Sequence, residues 1–261
     1  MKSVCLSALL YTLKDRAVED NEYVEIFTAW LTKVVENAGL TSADALYLFI
    51  DTRTMEYMSS AQTILPVLFT RIRCPYYFCK FDPPATALEG MMHRYDLTDY
   101  TQDVYMYTDI DILVMSPLRR LVEMTEENRI YVATEGSLED ANYGAAMRQP
   151  VPVCTPPMPG YSSGKFIITS KNLHTIFSND MKVVCDGTNY YTLDQPYFNK
   201  VVHSYHVSNK DGELLTKYTS LNGHGYSKDI ILLDGMGEVG NGRVHLRKMM
   251  DFLCLTAVGM F

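Results

Sequence analysis

The chain has 261 residues, 47% of them hydrophobic, enough for one large α/β domain or two small ones. Its formal net charge is −8 and no Lys/Arg-rich run stands out, which argues against nucleic acid as a partner. An acidic protein that handles an anionic ligand usually needs a metal ion or backbone N–H groups to do so.

VCLSALLY (4–11) reads as an apolar first strand and EYVEIFTAWLTKVVENAG (22–39) as a helix that stops at Gly39, a C-terminal cap signal. ALYLFID (45–51) is a second strand. MEYMSSAQTILPVLFTRI (55–72) starts as a helix that Pro66 breaks or kinks. CPYYFCKF (74–81) is a third strand, ALEGMMHRYDL (87–97) a short helix and DVYMYTDIDILV (103–114) a fourth strand. RIYVAT (129–134) is another strand, 141–160 a long Pro- and Gly-rich loop, GKFIIT (164–169) a strand, KNLHTIF the start of a helix and 191–205 a further helical segment. Residues 229–253 read as strand, Gly-rich loop and helix. Strand–helix alternation with near-continuous apolar strands predicts a mostly parallel sheet covered on both faces. With no repeat or low-complexity linker, one domain over 1–261 is expected, its first half (1–120) ending in the Asp-x-Asp segment and its second (121–261) more irregular.

Six cysteines, Cys5, Cys74, Cys79, Cys154, Cys185 and Cys254, form no C-x-x-C pair, and several lie in apolar strand-like runs; they read as free thiols in a reducing compartment. No apolar run reaches the ~20 residues of a transmembrane helix, and MKSVCLSALLYTLKD lacks a small-residue cleavage site. A cytoplasmic location is the expectation.

The chemistry concentrates in VYMYTDIDILVMSPLRRL (104–121). A buried carboxylate is costly unless paired, hydrogen-bonded or holding a cation. In a strand, residues i and i+2 share a face, so Asp109 and Asp111, flanking Ile110, are predicted to converge at the strand's carboxyl end. Such a pair suits a hard divalent cation; the alternative is two strand-end aspartates satisfied by turn N–H groups.

This segment resembles the Asp-x-Asp region of GT-A glycosyltransferases, especially the retaining, glycogenin-like (family 8-type) group. GYSSGKFIIT (160–169) is similar to the group's aromatic-Asn-Ser-Gly strand, with Ser162 where Asn is usual, and TLDQPYFNKVV (192–202) to its Asp-Gln helix start. The resemblance spans nearly the whole chain. It implies a GT-A (Rossmann-like nucleotide-diphospho-sugar transferase) fold and Mn²⁺ or Mg²⁺ as cofactor. The donor it implies is a nucleotide sugar, UDP-linked, and the acceptor a glycan or other glycoconjugate hydroxyl, with retention of configuration. Asp109 and Asp111 then hold the metal and the donor. Asp194 and Gln195 sit at the reacting sugar with Ser162 and Ser163, although Asp194 also reads as an ordinary helix N-cap.

The group's third metal ligand is a late histidine. Asp234 stands in its place, or His245 fills the role if the register differs, while His224 reads as a loop residue. The following GMGEVGNG could offer N–H groups to phosphate, and Lys248 either contacts the diphosphate or lies on a solvated face. Ala8, Leu9, Leu10, Tyr11 and Thr12 would line the base and ribose, with Tyr11 stacking on uracil or serving only as a strand-end aromatic. Asp51 contacts the nucleoside or caps a turn. Arg94 or His93 is the basic residue before the Asp-x-Asp strand, Glu135 faces sugar hydroxyls, and the 141–160 loop walls the acceptor side. Two rivals are a haloacid-dehalogenase-like phosphohydrolase, through the Asp-x-Asp and the acidic, Gly-rich LLDGMGEVGN, and a non-catalytic nucleotide-sugar-binding module.

Overall fold

The computed structural model describes residues 1–60, 65–145, 157–221 and 227–235, with 247 and 251. Strand β1 (Val4–Leu10) is buried along its whole length and β2 (Ala45–Asp51) nearly so. Parallel strands covered on both faces take this continuous apolar pattern. Helix α1 (Tyr23–Asn37) turns Val24, Phe27, Trp30, Leu31 and Val34 inward, the i, i+3, i+4, i+7 spacing of one helical face. Beyond its end Gly39 takes φ +66°, where a side chain would be strained, and lies against Pro117.

α2 (Thr52–Met58), α3 (Leu65–Phe69), β3 (Tyr76–Phe81), α4 (Ala87–Met92) and β4 (Val104–Thr108) follow. After β4 come β5 (Ile112–Val114), α5 (Arg119–Val122), β6 (Ile130–Ser137), β7 (Pro159–Ile168), α6 (Lys171–Val184) and α7 (Gln195–Ser204). The described elements close with β8 (Lys210–Asp211), α8 (Leu214–Tyr218), β9 (Thr219–Leu221) and β10 (Leu232–Asp234).

Seven strands form a mostly parallel central sheet in the order β3-β2-β1-β4-β7-β6-β8. β3 to β4 run parallel, β7 is antiparallel to both β4 and β6, and β8 is parallel to β6. Helix α1 covers one face through a core that includes Trp30, Leu31, Leu6 and Leu46. Helices α6 and α7 cover the other through Phe177, Phe198, Phe166 and Tyr105. A small sheet, β5-β10-β9, lies beside the large one. No helix among the described residues is long and apolar enough to cross a membrane.

Three sequence expectations change. The strand expected over 103–114 is two strands in two sheets. Asp109 N donates to Gly164 O (2.7 Å) and Ile112 N to Asp109 O (3.1 Å), so the chain turns at 109–111 and β5 pairs with β10. The apolar run hid the break because both strands are fully buried. The helix expected from residue 55 ends at Met58, ahead of Pro66, which lies in a second helix, α3. β7 begins at Pro159, so the Gly160–Gly164 stretch is strand, with register shifts against β6 at Val132/Ala133 and Thr134/Gly136. Cys5, Cys74, Cys79 and Cys185 are free thiols, while Cys154 and Cys254 lie outside the described residues.

Candidate active site

A cavity of about 680 Å³ opens at the carboxyl ends of β1 and β4. The end of β1 supplies Leu9, Leu10, Tyr11 and Thr12, and the β4–β5 turn supplies Asp109, Ile110 and Asp111. The lining also holds Glu135 of β6, Ser162 and Ser163 of β7, Asp194 and Gln195 at the start of α7, and Asp234 of β10. Ala8, Asp51 and Arg94 do not line this cavity. Ala8 is core, and Asp51 accepts from the backbone N–H groups of Thr12 (2.8 Å) and Thr54 (3.0 Å), capping α2 and fixing the chain after β1. His245, Lys248, His224 and the Gly-rich 236–242 segment lie outside the described residues, as does 146–156 of the long loop.

The two aspartates converge through the turn rather than through strand alternation. Asp109 Oδ1 accepts from Tyr107 OH (2.6 Å) and lies 3.4 Å from Arg94 Nη2. Burial raises its pKa, opposed by Arg94 and by the Tyr107 hydrogen bond. Burial, with the like charges of Asp109 and Asp234, pushes Asp111 well above the usual carboxylate range. Gly164 lets Asp109 in: a Cβ there would stand 2.7 Å from Asp109 Oδ2.

Arg94 is fully buried behind the wall. Its Nη1 donates to Ser163 O (2.8 Å), its Nε lies 3.7 Å from Asp194 Oδ2, and its guanidinium lies 4.7 Å from the Tyr107 ring centre. One cation thus sits between the Asp-x-Asp turn and the Asp-Gln helix start. His93, the other basic residue considered, pairs with Asp96 and stacks on Phe81.

Asp194 does not cap α7 with its side chain. Its Oδ2 accepts from Tyr95 OH (2.5 Å) and its Oδ1 from Ser163 Oγ (3.3 Å). The preceding Leu193 takes φ +54°, uncommon for a branched side chain and found where a site constrains the backbone. Gln195 Oε1 accepts from Ser163 N (3.3 Å) and its Nε2 donates to Asn142 O (3.2 Å). Tyr11 donates to Ala87 O (2.9 Å), and its ring packs so closely on Gly90 that a Cβ there would come within 2.5 Å.

Several residues of the site carry no motif. Lys165 of β7 is fully buried, and its Nζ donates to Glu135 Oε1 and to Asp234 Oδ2 (2.5 Å). Burial opposes its charge, but Asp234 and Glu135 outweigh that and raise its pKa. Burial raises Glu135, opposed by Lys165. Tyr95 and Tyr107 hold the aspartates from behind, and Asn142, on the lining itself, holds the glutamine. A signal for Lys165 was present: a lysine inside the apolar run GKFIIT poses the same question as two aspartates inside VYMYTDIDILV.

Among the described residues, no three Asp, Glu, His or Cys side chains group tightly enough to enclose a metal ion by themselves. Asp109 and Asp111 nonetheless fit one. Two half-buried, mutually repelling carboxylates on a cavity wall favour a hard cation, with the rest of the shell left to a ligand's oxygens. Asp234 lies on the same wall with one oxygen taken by Lys165.

No protein-family profile and no curated protein matches the chain by sequence. Solved structures match it in fold. The apo form of glycosyltransferase GlyE from Streptococcus pneumoniae TIGR4 superposes with a TM-score of 0.56 at 14% identity, over 96% of this chain and 61% of that one. The apo structure of the bifunctional glycosyltransferase WbbM gives 0.59 at 11% identity, over 95% of this chain and 50% of that one. A second GlyE structure gives 0.53 at 13% identity. This chain thus spans between half and about six-tenths of their length, and the fold it shares with them is the GT-A type.

Proposed function

We propose that this chain is a metal-dependent glycosyltransferase that moves a sugar from a nucleotide-diphosphate donor, UDP-linked, to a glycan or glycoconjugate hydroxyl, with retention of configuration. The observation that carries this is that two pairs line one cavity and share the buried Arg94 cation. Asp109 and Asp111 stand at the end of β4, and Asp194 and Gln195 at the start of α7. The likeness to GlyE and WbbM supports the same reading, since both are described as glycosyltransferases.

In this reading the end of β1, Leu9 to Thr12, receives the nucleoside, and Asp109 with Asp111 holds a Mn²⁺ or Mg²⁺ ion. That ion, when bound, neutralises charge on the departing diphosphate. Asp194 places a carboxylate, fixed by Tyr95 and Ser163, beside the sugar, where positive charge develops as the glycosidic bond breaks. Gln195 is locked by Ser163 N and Asn142 O and orients the sugar. Glu135 faces sugar hydroxyls. Arg94 compensates Asp109 and Asp194 together.

The test is a thermal-shift panel of UDP-, GDP- and TDP-sugars with and without Mn²⁺, followed by turnover of the best donor. A ligand at a hundredfold excess over its Kd adds about 2.7 kcal/mol of stability. Stabilisation by one donor only with Mn²⁺, and turnover lost in chelator and in Asp111→Asn with the fold intact, supports the reading. Full turnover in excess chelator overturns metal dependence, and an inverted anomeric proton signal overturns retention. Hydrolysis of phosphate esters without nucleotide-sugar binding returns the phosphohydrolase, and binding without turnover returns the binding module.

A further inference from the structure

We infer that Lys165 sets the cation affinity of this site by acting as a built-in counter-ion that withholds Asp234 and Glu135 from a bound metal. The inference rests on the cation reading of Asp109 and Asp111 and goes beyond it.

Lys165 lies on β7 with its whole side chain inaccessible, and it is absent from the cavity lining. Its two partners are on the lining: Glu135 from β6 and Asp234 from the end of β10. An ammonium in an apolar strand is costly unless paired, and this one is paired twice. The pairing joins the large sheet to the small one and places positive charge immediately behind two wall carboxylates. Asp234 pairs with Ile112 in the β5–β10 ladder, and Gly235 N donates to Asp111 O (3.0 Å), so Asp234 stands beside the Asp-x-Asp turn. A cation seated between Asp109 and Asp111 is therefore within reach of Asp234's field, but Asp234 already has its cation. The site keeps two committed ligands and leaves its other positions to the oxygens of the incoming ligand. Such a site holds metal weakly alone and more tightly with a diphosphate. If Lys165 only stapled the sheets together, its removal would change stability and leave metal affinity where it was.

The experiment is a Mn²⁺ titration followed by the electron paramagnetic resonance of the free ion, without nucleotide, on folded protein checked by circular dichroism. Lys165→Met alone leaves two uncompensated buried carboxylates and is open to misfolding. Two double variants therefore carry the test. Lys165→Met/Glu135→Gln retains the Asp234 carboxylate and frees it; Lys165→Met/Asp234→Asn removes it. The expected result is at least tenfold tighter Mn²⁺ binding in the first and wild-type or weaker binding in the second. Equal affinity in wild type and both variants overturns the inference with the cation reading intact. Wild type that binds no Mn²⁺, with no gain in the first variant, overturns both. Lys165→Arg, which keeps the charge, is expected to bind as wild type does.

Discussion

Replacing Arg94 by methionine isolates the charge compensation on which the site stands. Methionine fills much of the volume of the arginine stem, so packing is largely kept. What is lost is the cation 3.4 Å from Asp109 and 3.7 Å from Asp194, and the donor to Ser163 O at 2.8 Å. Removing one partner of a buried ion pair costs about 3–5 kcal/mol, because the remaining charge stays buried. The Asp109 side chain is 28% exposed, so water takes over part of the loss and the low end, about 3 kcal/mol, is expected. At ~2–4 °C per kcal/mol for a chain near this size, the melting temperature falls by about 6–12 °C.

The loss also depends on pH. Asp109 already has a raised pKa, and without Arg94 it rises further. A carboxylate whose folded pKa exceeds its unfolded one binds its proton more tightly when folded. It favours the folded state at low pH and loses that contribution as pH rises through the folded value. The penalty of Arg94→Met is thus largest at neutral pH and shrinks toward the ordinary carboxylate range. Urea denaturation of both proteins at neutral and acidic pH measures it. A difference below about 1 kcal/mol, no larger than a surface ion pair, or one that grows on acidification, would refute the argument.

Other perturbations read other parts of the wall. Gly164→Ala puts a Cβ 2.7 Å from Asp109 Oδ2; it is expected to cost about 1–3 kcal/mol and to weaken Mn²⁺ binding at least tenfold, and unchanged calorimetric affinity would contradict this. Asp51→Ala removes the acceptor of Thr12 N and Thr54 N and is expected to cost about 2 kcal/mol in urea, against under 0.5 for a surface substitution. His174 stacks on Tyr105 at 3.8 Å, has no hydrogen-bond partner for either ring nitrogen among the described residues, and is pushed by burial to a pKa of about 3. Its folded pKa lies below the unfolded one, so stability is full above the unfolded value near 6.5 and falls as pH drops below it, by about 3 kcal/mol at pH 4. His174→Phe is expected to flatten that decline; parallel pH–stability curves would count against it.

The parallel half of the fold was legible because its strands are buried on both faces and read as unbroken apolar runs bounded by caps: β1, β2 and α1 fall within a residue or two of their predicted limits. The same property concealed the β4–β5 turn. Hydropathy reports burial, and Ile112–Val114 is as buried as Val104–Thr108 although it belongs to another sheet. Ser162, Ser163, Asp194 and Gln195 were found as motif residues, and they line one cavity with Asp109 and Asp111. Their supports were not. Tyr95, Tyr107 and Asn142 are ordinary residues until tertiary packing sets a hydroxyl or a carbonyl against a site side chain. Arg94 was expected to face the donor and instead works from behind, a distinction of one side-chain direction that spacing does not encode.

The charge pattern around the cavity is itself an argument about purpose. Seven carboxylates line it, Asp20, Glu22, Asp109, Asp111, Glu135, Asp194 and Asp234, and behind four of them stand two fully buried cations, each shared between two acids. Replacing buried ion pairs by apolar residues of similar volume is often neutral or stabilising by about 1–4 kcal/mol. Stability therefore does not account for the wall. Nor do the two cations neutralise it. Arg94 and Lys165 serve four of the acids in two pairs, and Asp111 is the one whose proton affinity burial and its neighbours raise well above normal. Arg94 fixes where Asp109 and Asp194 stand relative to each other, and Lys165 does the same for Glu135 and Asp234. Asp111 stands beside these pairs at the Asp-x-Asp turn, on the carboxyl end of β4, and lines the cavity. A wall that gathers four acids on two buried cations and raises the proton affinity of Asp111 beside them is one where a positive ligand at that turn relieves repulsion and so gains binding energy.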